Sequence, residues 1–158
     1  MRFDLTSREG YGRFLRAHAD ALLPIEAALD RANAKRVISD WPERRRGSAL
    51  LADLDALDLP HPAPEHSFSL NTQGAAIAGT VYVLEGSRLG GKFIYRQVPD
   101  YLPRHYLNPN QEAEKWPVLL ETLDTILYDA GQLEIAIAAA RRVFEYFAHF
   151  GEHWLTKE

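Results

Sequence analysis

The sequence predicts an all-α protein: an irregular multi-helix bundle of about five main helices in one domain spanning residues 1–158. Three observations support this fold class. Apolar residues recur at three- and four-residue spacing over long stretches. The segments between these stretches are rich in proline, glycine or asparagine. The alternating pattern of a strand is found only over residues 80–84, inside a helical stretch.

Composition narrows the classes of function. The 158 residues carry a formal net charge of -4, so no general basic field is available to hold nucleic acid or an anionic membrane. The absence of cysteine excludes disulfides, thiolate catalysis and cysteine-based zinc sites. No apolar run approaches the roughly 18 residues that span a bilayer, and no signal peptide is visible. We therefore expect a soluble, cytoplasmic protein without nucleic-acid or membrane partners.

The first predicted helix has the clearest boundaries. Thr6 and Glu9 have the spacing of a capping box, which satisfies the free amides of a helix start. One apolar face then extends over about 25 residues, with a bend expected at Pro24. The helix is predicted to end at residues 33–35. The face consists of Tyr11, Phe14, Leu15, His18, Leu22, Ile25 and Leu29.

The remaining elements follow from the same periodicity and from its breaks. Further helices are predicted over about residues 40–57, 72–87, 110–127 and 132–154, and residues 92–98 could resume the third of these. The predicted connectors are residues 59–64, which are rich in proline, residues 99–109 and residues 129–131.

A glycine-rich segment interrupts the third predicted helix. Gly86, Gly90 and Gly91 each cost a helix about 1 kcal/mol relative to alanine, so they need a structural or functional reason. Gly86 and Gly90 share a helix face, and their missing side chains would let a second helix pack closely. The bare backbone could instead lie against a flat ligand. Spacing alone favours close helix packing.

Residues 82–91, which read YVLEGSRLGG, resemble the distal-helix motif of bacterial biliverdin-producing heme oxygenases. The most similar type is the one associated with bacteriophytochromes. The resemblance extends over essentially the whole chain. It includes residues 4–26 with Tyr11 and Glu26, residues 46–57, Trp116, and the alanine-rich last helix with Arg141 and Phe144.

This resemblance implies that heme is both cofactor and substrate. The porphyrin would lie between a proximal helix carrying an axial histidine and a distal helix, with Gly86 and Gly90 as the catalytic positions over the iron. The cofactor-binding residues implied are Gly86, Ser87, Gly90, Gly91 and Arg141. Arg141 and Arg142 could meet the propionates from the last helix or could be surface charges. Ser87 stands where some relatives carry an aspartate. Ser87 can exchange hydrogen bonds with water but cannot hold a negative charge.

Histidines are the natural axial ligands to heme iron. In the family, the proximal histidine lies on a helix before the one that begins here near Thr6, and only five residues precede Thr6. We therefore expect that helix to be absent. We expect His18 to be a buried, hydrogen-bonded core residue. The other histidines, which we expect to be solvated and to form no metal site, are His61, His66, His105, His149 and His153.

Other conspicuous residues are expected to have structural roles. The run Arg44, Arg45 and Arg46 is typical of a solvated helix turn. Aromatic side chains in a helical bundle usually pack in the core. The tyrosines and tryptophans expected there are Tyr82, Tyr95, Tyr101, Tyr106, Trp41, Trp116 and Trp154.

Three functional hypotheses remain open from the sequence. The chain could be a heme oxygenase that opens heme to biliverdin with O2 and electrons from an external reductase. It could instead be a non-catalytic relative that has lost the proximal ligand and binds a tetrapyrrole or a protein partner. An exposed groove would then favour a homodimer. Finally, the native protein could be longer than the given sequence and active.

Overall fold

The computed structural model describes residues 2–108 and 115–157. Within these residues the chain forms six α-helices and one short 3-10 turn, with no strand, so the prediction of an all-α fold is confirmed. The helices are α1 (Arg8–Arg31), α2 (Trp41–Arg44), α3 (Gly47–Ala56), α4 (Gly74–Gln97), α5 (Lys115–Ile126) and α6 (Ala130–Thr156). The 3-10 turn is Ala34–Arg36. The helix start predicted at Asn110 lies outside the described residues.

The start of α1 differs from the predicted capping box by one residue. The Ser7 side chain, not that of Thr6, accepts a hydrogen bond from the Gly10 amide at 3.0 Å. The Thr6 hydroxyl instead donates to Asp4 at 2.6 Å. Glu9 does not return to the cap, because it pairs with Arg13 at 2.8 Å. α1 then continues through Pro24 to its end at Arg31.

The single helix predicted over residues 40–57 is divided into α2 and α3. At the division the Glu26 carboxylate accepts hydrogen bonds from the Arg46 amide at 2.7 Å and the Gly47 amide at 3.1 Å. These amides lie at the N-terminus of α3, where helical amides lack partners and negative charge is favourable. A distant residue of α1 therefore caps α3, an arrangement that local periodicity does not reveal.

The core lies among α1, α4 and α6, with α3 against α1. Two tryptophans at the edge of this core donate hydrogen bonds to aspartates of α1. The Trp41 indole N–H donates to Asp30 at 2.8 Å, and the Trp154 indole N–H donates to Asp20 at 2.7 Å. Both rings are buried, as expected of packing residues. Within the described residues, no helix combines the length and the apolar character needed to cross a membrane.

Candidate functional site

α4 presents three glycines on one face. Gly86 and Gly90 lie seven and eleven residues after Gly79, and both intervals bring a helix back to nearly the same direction. A Cβ added to Gly79 would collide with the backbone of Ala136 on α6. A Cβ added to Gly86 or Gly90 would meet nothing within 4 Å among residues 2–108 and 115–157. Close helix packing, which spacing alone favoured for Gly86 and Gly90, is therefore wrong for these two and explains Gly79 instead.

The exposure of Gly86 and Gly90 follows from how α4 and α6 pair. Gly79 lies against Ala136, whereas Phe68, before α4, packs on Tyr146 with ring centroids 5.0 Å apart. The two helices therefore run antiparallel. α6 begins at Ala130, about 9 Å of helix before Ala136, while Gly86 lies about 10.5 Å beyond Gly79. α4 thus extends past the covering helix and leaves its glycine face open.

α4 stays helical through the glycines, so the predicted interruption at Gly86, Gly90 and Gly91 is wrong. Ion pairs on its other flanks hold this part of the helix. The buried Glu85 carboxylate lies 3.0 Å from the Arg88 guanidinium and 3.1 Å from that of Arg44. Arg88 also donates to the backbone carbonyl of Arg44 at 2.6 Å. These contacts offset the helix cost of the glycines.

The arginine run of residues 44–46 does not form the solvated turn that was expected. Arg44 and Arg46 are buried, and only Arg45 is exposed, paired with Asp30 at 3.1 Å. Arg44 reaches Glu85 on α4, and the Arg46 guanidinium stacks 4.2 Å from the centre of the Tyr106 ring. Two arginines of this run therefore connect the segment between α2 and α3 to α4 and to Tyr106. In the sequence, the only sign of this role was the presence of three adjacent cations.

A polar network adjoins the glycine face through Ser87. The Tyr106 hydroxyl lies 2.7 Å from Nδ1 of His18. Burial raises the pKa of Tyr106, and a nearby positive charge on Arg46 and the interaction with Ser87 oppose that rise. Ser87, Tyr106, His18 and Arg46 therefore form one group that connects α4 to α1. Nε of Arg46 is buried and has no hydrogen-bond partner among the described residues, so a water molecule could bind there.

His18 is hydrogen-bonded, as predicted, but it is half-buried and not the fully buried core residue that was expected. Its ring lies between Phe14 and Phe147, with centroid distances of 4.3 Å and 5.3 Å. Burial and the positive charge of Arg46 lower the pKa of His18 to about 3. The imidazole is therefore neutral near pH 7 and can act as donor at one nitrogen and acceptor at the other.

The expectation that four tyrosines pack in the core holds fully only for Tyr106. Tyr101 is exposed, and Tyr95 is half-buried beneath the Arg104 guanidinium at 3.9 Å. Tyr82, one turn before Gly86, is 42% exposed, and its ring contacts that of Trp116 on α5 in a tilted arrangement with centroids 5.4 Å apart. Tyr82 thus stands beside the open glycine face with its aromatic ring accessible.

The remaining histidines do not gather around α4. His105 Nδ1 lies 2.9 Å from the buried Asp53, and His61 lies 2.8 Å from Asp55. His149 and His153 each contact the aromatic ring of the residue that follows. In the described parts of the chain, no group of three potential metal ligands is found. Arg141 is exposed on α6, and no contact there links it to the glycines.

Comparison with known proteins decides the family. The chain is 33% identical over 147 residues to a heme oxygenase of Xanthomonas campestris pv. campestris (strain 8004), an alignment covering 87% of this chain and 86% of that protein. The chain belongs to the heme oxygenase family. It is also 27% identical over 151 residues to heme oxygenase PigA of Pseudomonas aeruginosa, covering 89% of this chain and 75% of PigA.

The fold comparison agrees. The NO- and CO-bound heme oxygenase of Neisseria meningitidis superposes with a TM-score of 0.80 over 98% of this chain and 80% of that one, at 20% identity. This likeness shows that the chain has the heme oxygenase fold. No family model matches the sequence.

Heme is the group that the family name implies. The glycine face of α4 has the space to lie against one face of a porphyrin ring. Bare backbone at Gly86 and Gly90 offers space that any Cβ would occupy, and the ring of Tyr82 stands beside it. All six histidines of the chain lie in the described parts, and the contacts of none include this face. The described residues therefore fit the distal side of a porphyrin and do not identify the axial ligand.

Proposed function

We propose that this chain acts as a heme oxygenase, binding heme against the glycine face of α4 and promoting its oxidative opening to biliverdin. O2 and an external electron donor of the reductase class would complete the reaction. Membership of the heme oxygenase family supports the activity. The observation that carries the site is the open space over Gly86 and Gly90 in the described structure.

The glycines would set the distance between the helix and the ring. With no Cβ at Gly86 or Gly90, a planar group can approach the α4 backbone closely, which a side chain at either position would prevent. A Cβ at Gly91 would lie 3.6 Å from Leu107 and so face the protein. Gly86 and Gly90 are therefore the proposed contact positions for the ring. Gly91 lies on a different flank of α4, where it packs against Leu107.

Bound heme would supply the O2 binding and the redox chemistry of the reaction. The chain's own contribution beside Gly86 is a set of proton-carrying groups. The Ser87 hydroxyl would hold a water molecule at the ring and exchange a proton with it. The Tyr106 hydroxyl, bonded to neutral His18, would orient Ser87 and its water. Arg46 would contribute a fixed positive charge beside Tyr106, because a guanidinium stays protonated at neutral pH.

The family resemblance implies that Arg141 binds the heme propionates, and the helix packing argues against this role. On α6, Arg141 lies five residues beyond Ala136, toward the start of α4, whereas Gly86 lies seven residues beyond Gly79 toward the end of α4. At 1.5 Å per residue, the two positions are about 18 Å apart along the helices. Arg141 is therefore not part of the proposed heme site.

Titration of the purified protein with hemin, followed in the Soret region, tests the site. Gly90→Leu should abolish saturable one-to-one binding, because the new side chain would occupy the ring position. Gly151→Leu is the control, since Gly151 is also helical and also has nothing within 4 Å of an added Cβ. Equal heme affinity in the two variants would overturn the proposed site.

Turnover separates the enzyme from a non-catalytic heme binder. Ferric heme complex is supplied with ascorbate or a reductase under air, and biliverdin is measured by its absorption and by mass spectrometry. Stoichiometric biliverdin supports the proposal. Saturable heme binding without ring opening would contradict the proposed activity and favour the tetrapyrrole-binding alternative.

A further inference from the structure

A surface cavity lies on the opposite side of α1 from the Tyr106 network. Arg16 and Asp20 point into it, and they lie about half a helical turn around α1 from His18. The cavity has a volume of about 350 Å³. The proline-rich connector and the end of α6 form its other walls. The ionisable residues that line it are Arg16, Asp20, His61, His66, His153 and Lys157.

The fold brings two histidines of the proline-rich connector to the same cavity as a third histidine that is distant in sequence. His61 and His66 come from the connector before α4, and His153 comes from the last turns of α6. His66 is partly buried, and its ring packs on Phe150 with a centroid distance of 5.0 Å. An imidazole can donate a hydrogen bond whether neutral or charged. His66 and His153 can therefore donate to an oxyanion, whereas Nε2 of His61 lies 2.8 Å from Asp55.

Two cations in the cavity have no acidic partner in the described part of the chain. The Arg16 guanidinium lies 4.1 Å and the Lys157 ammonium 4.5 Å from the centre of the Trp154 ring. Neither forms an ion pair with a carboxylate among residues 2–108 and 115–157. The indole positions both cations at the cavity without neutralising them.

The single carboxylate in the lining is already engaged. Asp20 is buried, and one of its oxygens accepts the Trp154 indole N–H at 2.7 Å. Its other oxygen lies 3.7 Å from His66. Asp20 therefore holds Trp154 and His66 in place and does not pair with Arg16 or Lys157. Leaving the histidines aside, Arg16, Lys157 and Asp20 give the lining one net positive charge, and Asp55 lies outside the lining, 2.8 Å from His61.

A neighbouring cavity of about 430 Å³ shares Arg16, Trp154 and Lys157 as a common wall. Its two further cations are used within the fold. Arg13 pairs with Glu9 at 2.8 Å, and Arg8 donates to the Leu57 carbonyl at 2.9 Å. The available positive charge is therefore concentrated at Arg16 and Lys157, where the two cavities meet.

From these contacts we infer that the cavity between α1, the connector and the end of α6 binds a small phosphate-bearing molecule. Arg16 and Lys157 supply the charge, and His66 and His153 supply further donors. The volume admits a phosphate group with a compact organic substituent but not a macromolecule. This site is separate from the glycine face of α4 and does not depend on heme binding.

The Trp154 indole N–H resonance provides a direct readout in a two-dimensional NMR titration with inorganic phosphate. The Trp41 indole, buried against Asp30, is an internal reference. A saturable shift of the Trp154 signal is expected, with the Trp41 signal unmoved. Phosphate affinity should fall about two- to fivefold in Arg16→Gln and in Lys157→Gln, the range for one partly exposed charge interaction.

Lys35→Gln is the control variant, because Lys35 is exposed in the 3-10 turn away from this cavity. It should leave the titration unchanged. A non-saturating drift that sodium chloride reproduces at equal ionic strength would overturn the proposal. That result would leave Arg16 and Lys157 as structural partners of Trp154 and of the C-terminus of α6. Tighter binding of malonate than of phosphate would overturn the assignment to phosphate.

Discussion

The Tyr106 hydroxyl lies 2.7 Å from Nδ1 of His18, and this hydrogen bond joins the loop after α4 to the middle of α1. Because Ser87 on α4 interacts with the same hydroxyl, a contact between two core residues reaches the glycine face. Changes at His18 should therefore affect both folding stability and the proposed heme site.

The pH dependence of stability should carry the signature of His18. Its pKa is about 3 in the folded chain and near 6.5 when unfolded. Between these values the unfolded chain binds more protons, so stability rises with pH up to about 6.5 and then levels off. The slope from this group cannot exceed about 1.4 kcal/mol per pH unit. Urea unfolding of wild type and His18→Gln between pH 4 and pH 8 measures the difference.

The His18→Gln variant should show a flatter pH profile, because glutamine does not titrate. His149→Gln is the matched control, since that side chain is exposed on α6 and contacts the neighbouring Phe150 ring, without a carboxylate partner among the described residues. Parallel profiles for wild type and His18→Gln over the acidic range would contradict the lowered pKa.

Alanine substitutions at two glycines of α4 should change stability in opposite directions. Gly86→Ala should stabilise the protein by up to about 1 kcal/mol, because alanine is the better helix former and its Cβ meets open space. Gly79→Ala should destabilise it by about 1–3 kcal/mol, because its Cβ would collide with the backbone of Ala136. Thermal or urea unfolding gives both values.

Gly86→Ala should also weaken hemin binding even as it stabilises the fold. This combination distinguishes a ligand-contacting glycine from a packing one. Destabilisation by Gly86→Ala would show that another part of the chain covers the position.

Removal of the Glu26 carboxylate should destabilise the protein. Glu26→Ala leaves the Arg46 and Gly47 amides without their acceptor, with an expected cost of about 1–3 kcal/mol. Glu9→Ala, on the exposed start of α1, should cost less than about 0.5 kcal/mol. The free energy of unfolding at pH 7 compares the two.

Burial also raises the pKa of Glu26, which reverses the sign of its pH effect relative to His18. Above its ordinary pKa near 4.5, the folded chain binds more protons at this group than the unfolded chain does. Stability from Glu26 therefore declines as pH rises from that value through the folded pKa. A profile in Glu26→Gln that loses this decline would support the assignment.

Breaking the ion pair of Glu85 should affect both stability and the site. Glu85→Gln leaves Arg44 buried and only partly paired, at a cost of about 3–5 kcal/mol. The loss should be concentrated in α4 around Gly86, and amide hydrogen exchange of residues 84–91 should accelerate. Uniform exchange across all helices would argue against a local anchoring role.

The all-α class and the approximate helix positions follow from residue periodicity. An apolar face such as that of α1 needs only neighbouring residues to be recognised. The resemblance of residues 82–91 likewise pointed to the family that comparison with known proteins established. Both kinds of information are local in the chain.

The failures concern residues whose partners are distant. Glu26 divides a predicted helix from 20 residues away, and Glu85 and Arg44 keep α4 helical across its glycines. Arg46 and Tyr106 join the site from separate segments. None of these pairings has a periodic signal, because hydrogen bonds and ion pairs between elements depend on how the helices pack.

The sequence by itself determined that this chain is helical and which residues of α1 face the protein core. It also showed that the glycines of α4 needed an explanation. Only the tertiary structure decided between the explanations. Gly79 contacts α6, and Gly86 does not. The reason is that α6 runs antiparallel to α4 and its first residue, Ala130, lies too close to Ala136 for the helix to reach the second half of α4. Which surface is buried and which stays open depends on the relative lengths and crossing of two helices, and no local pattern encodes that.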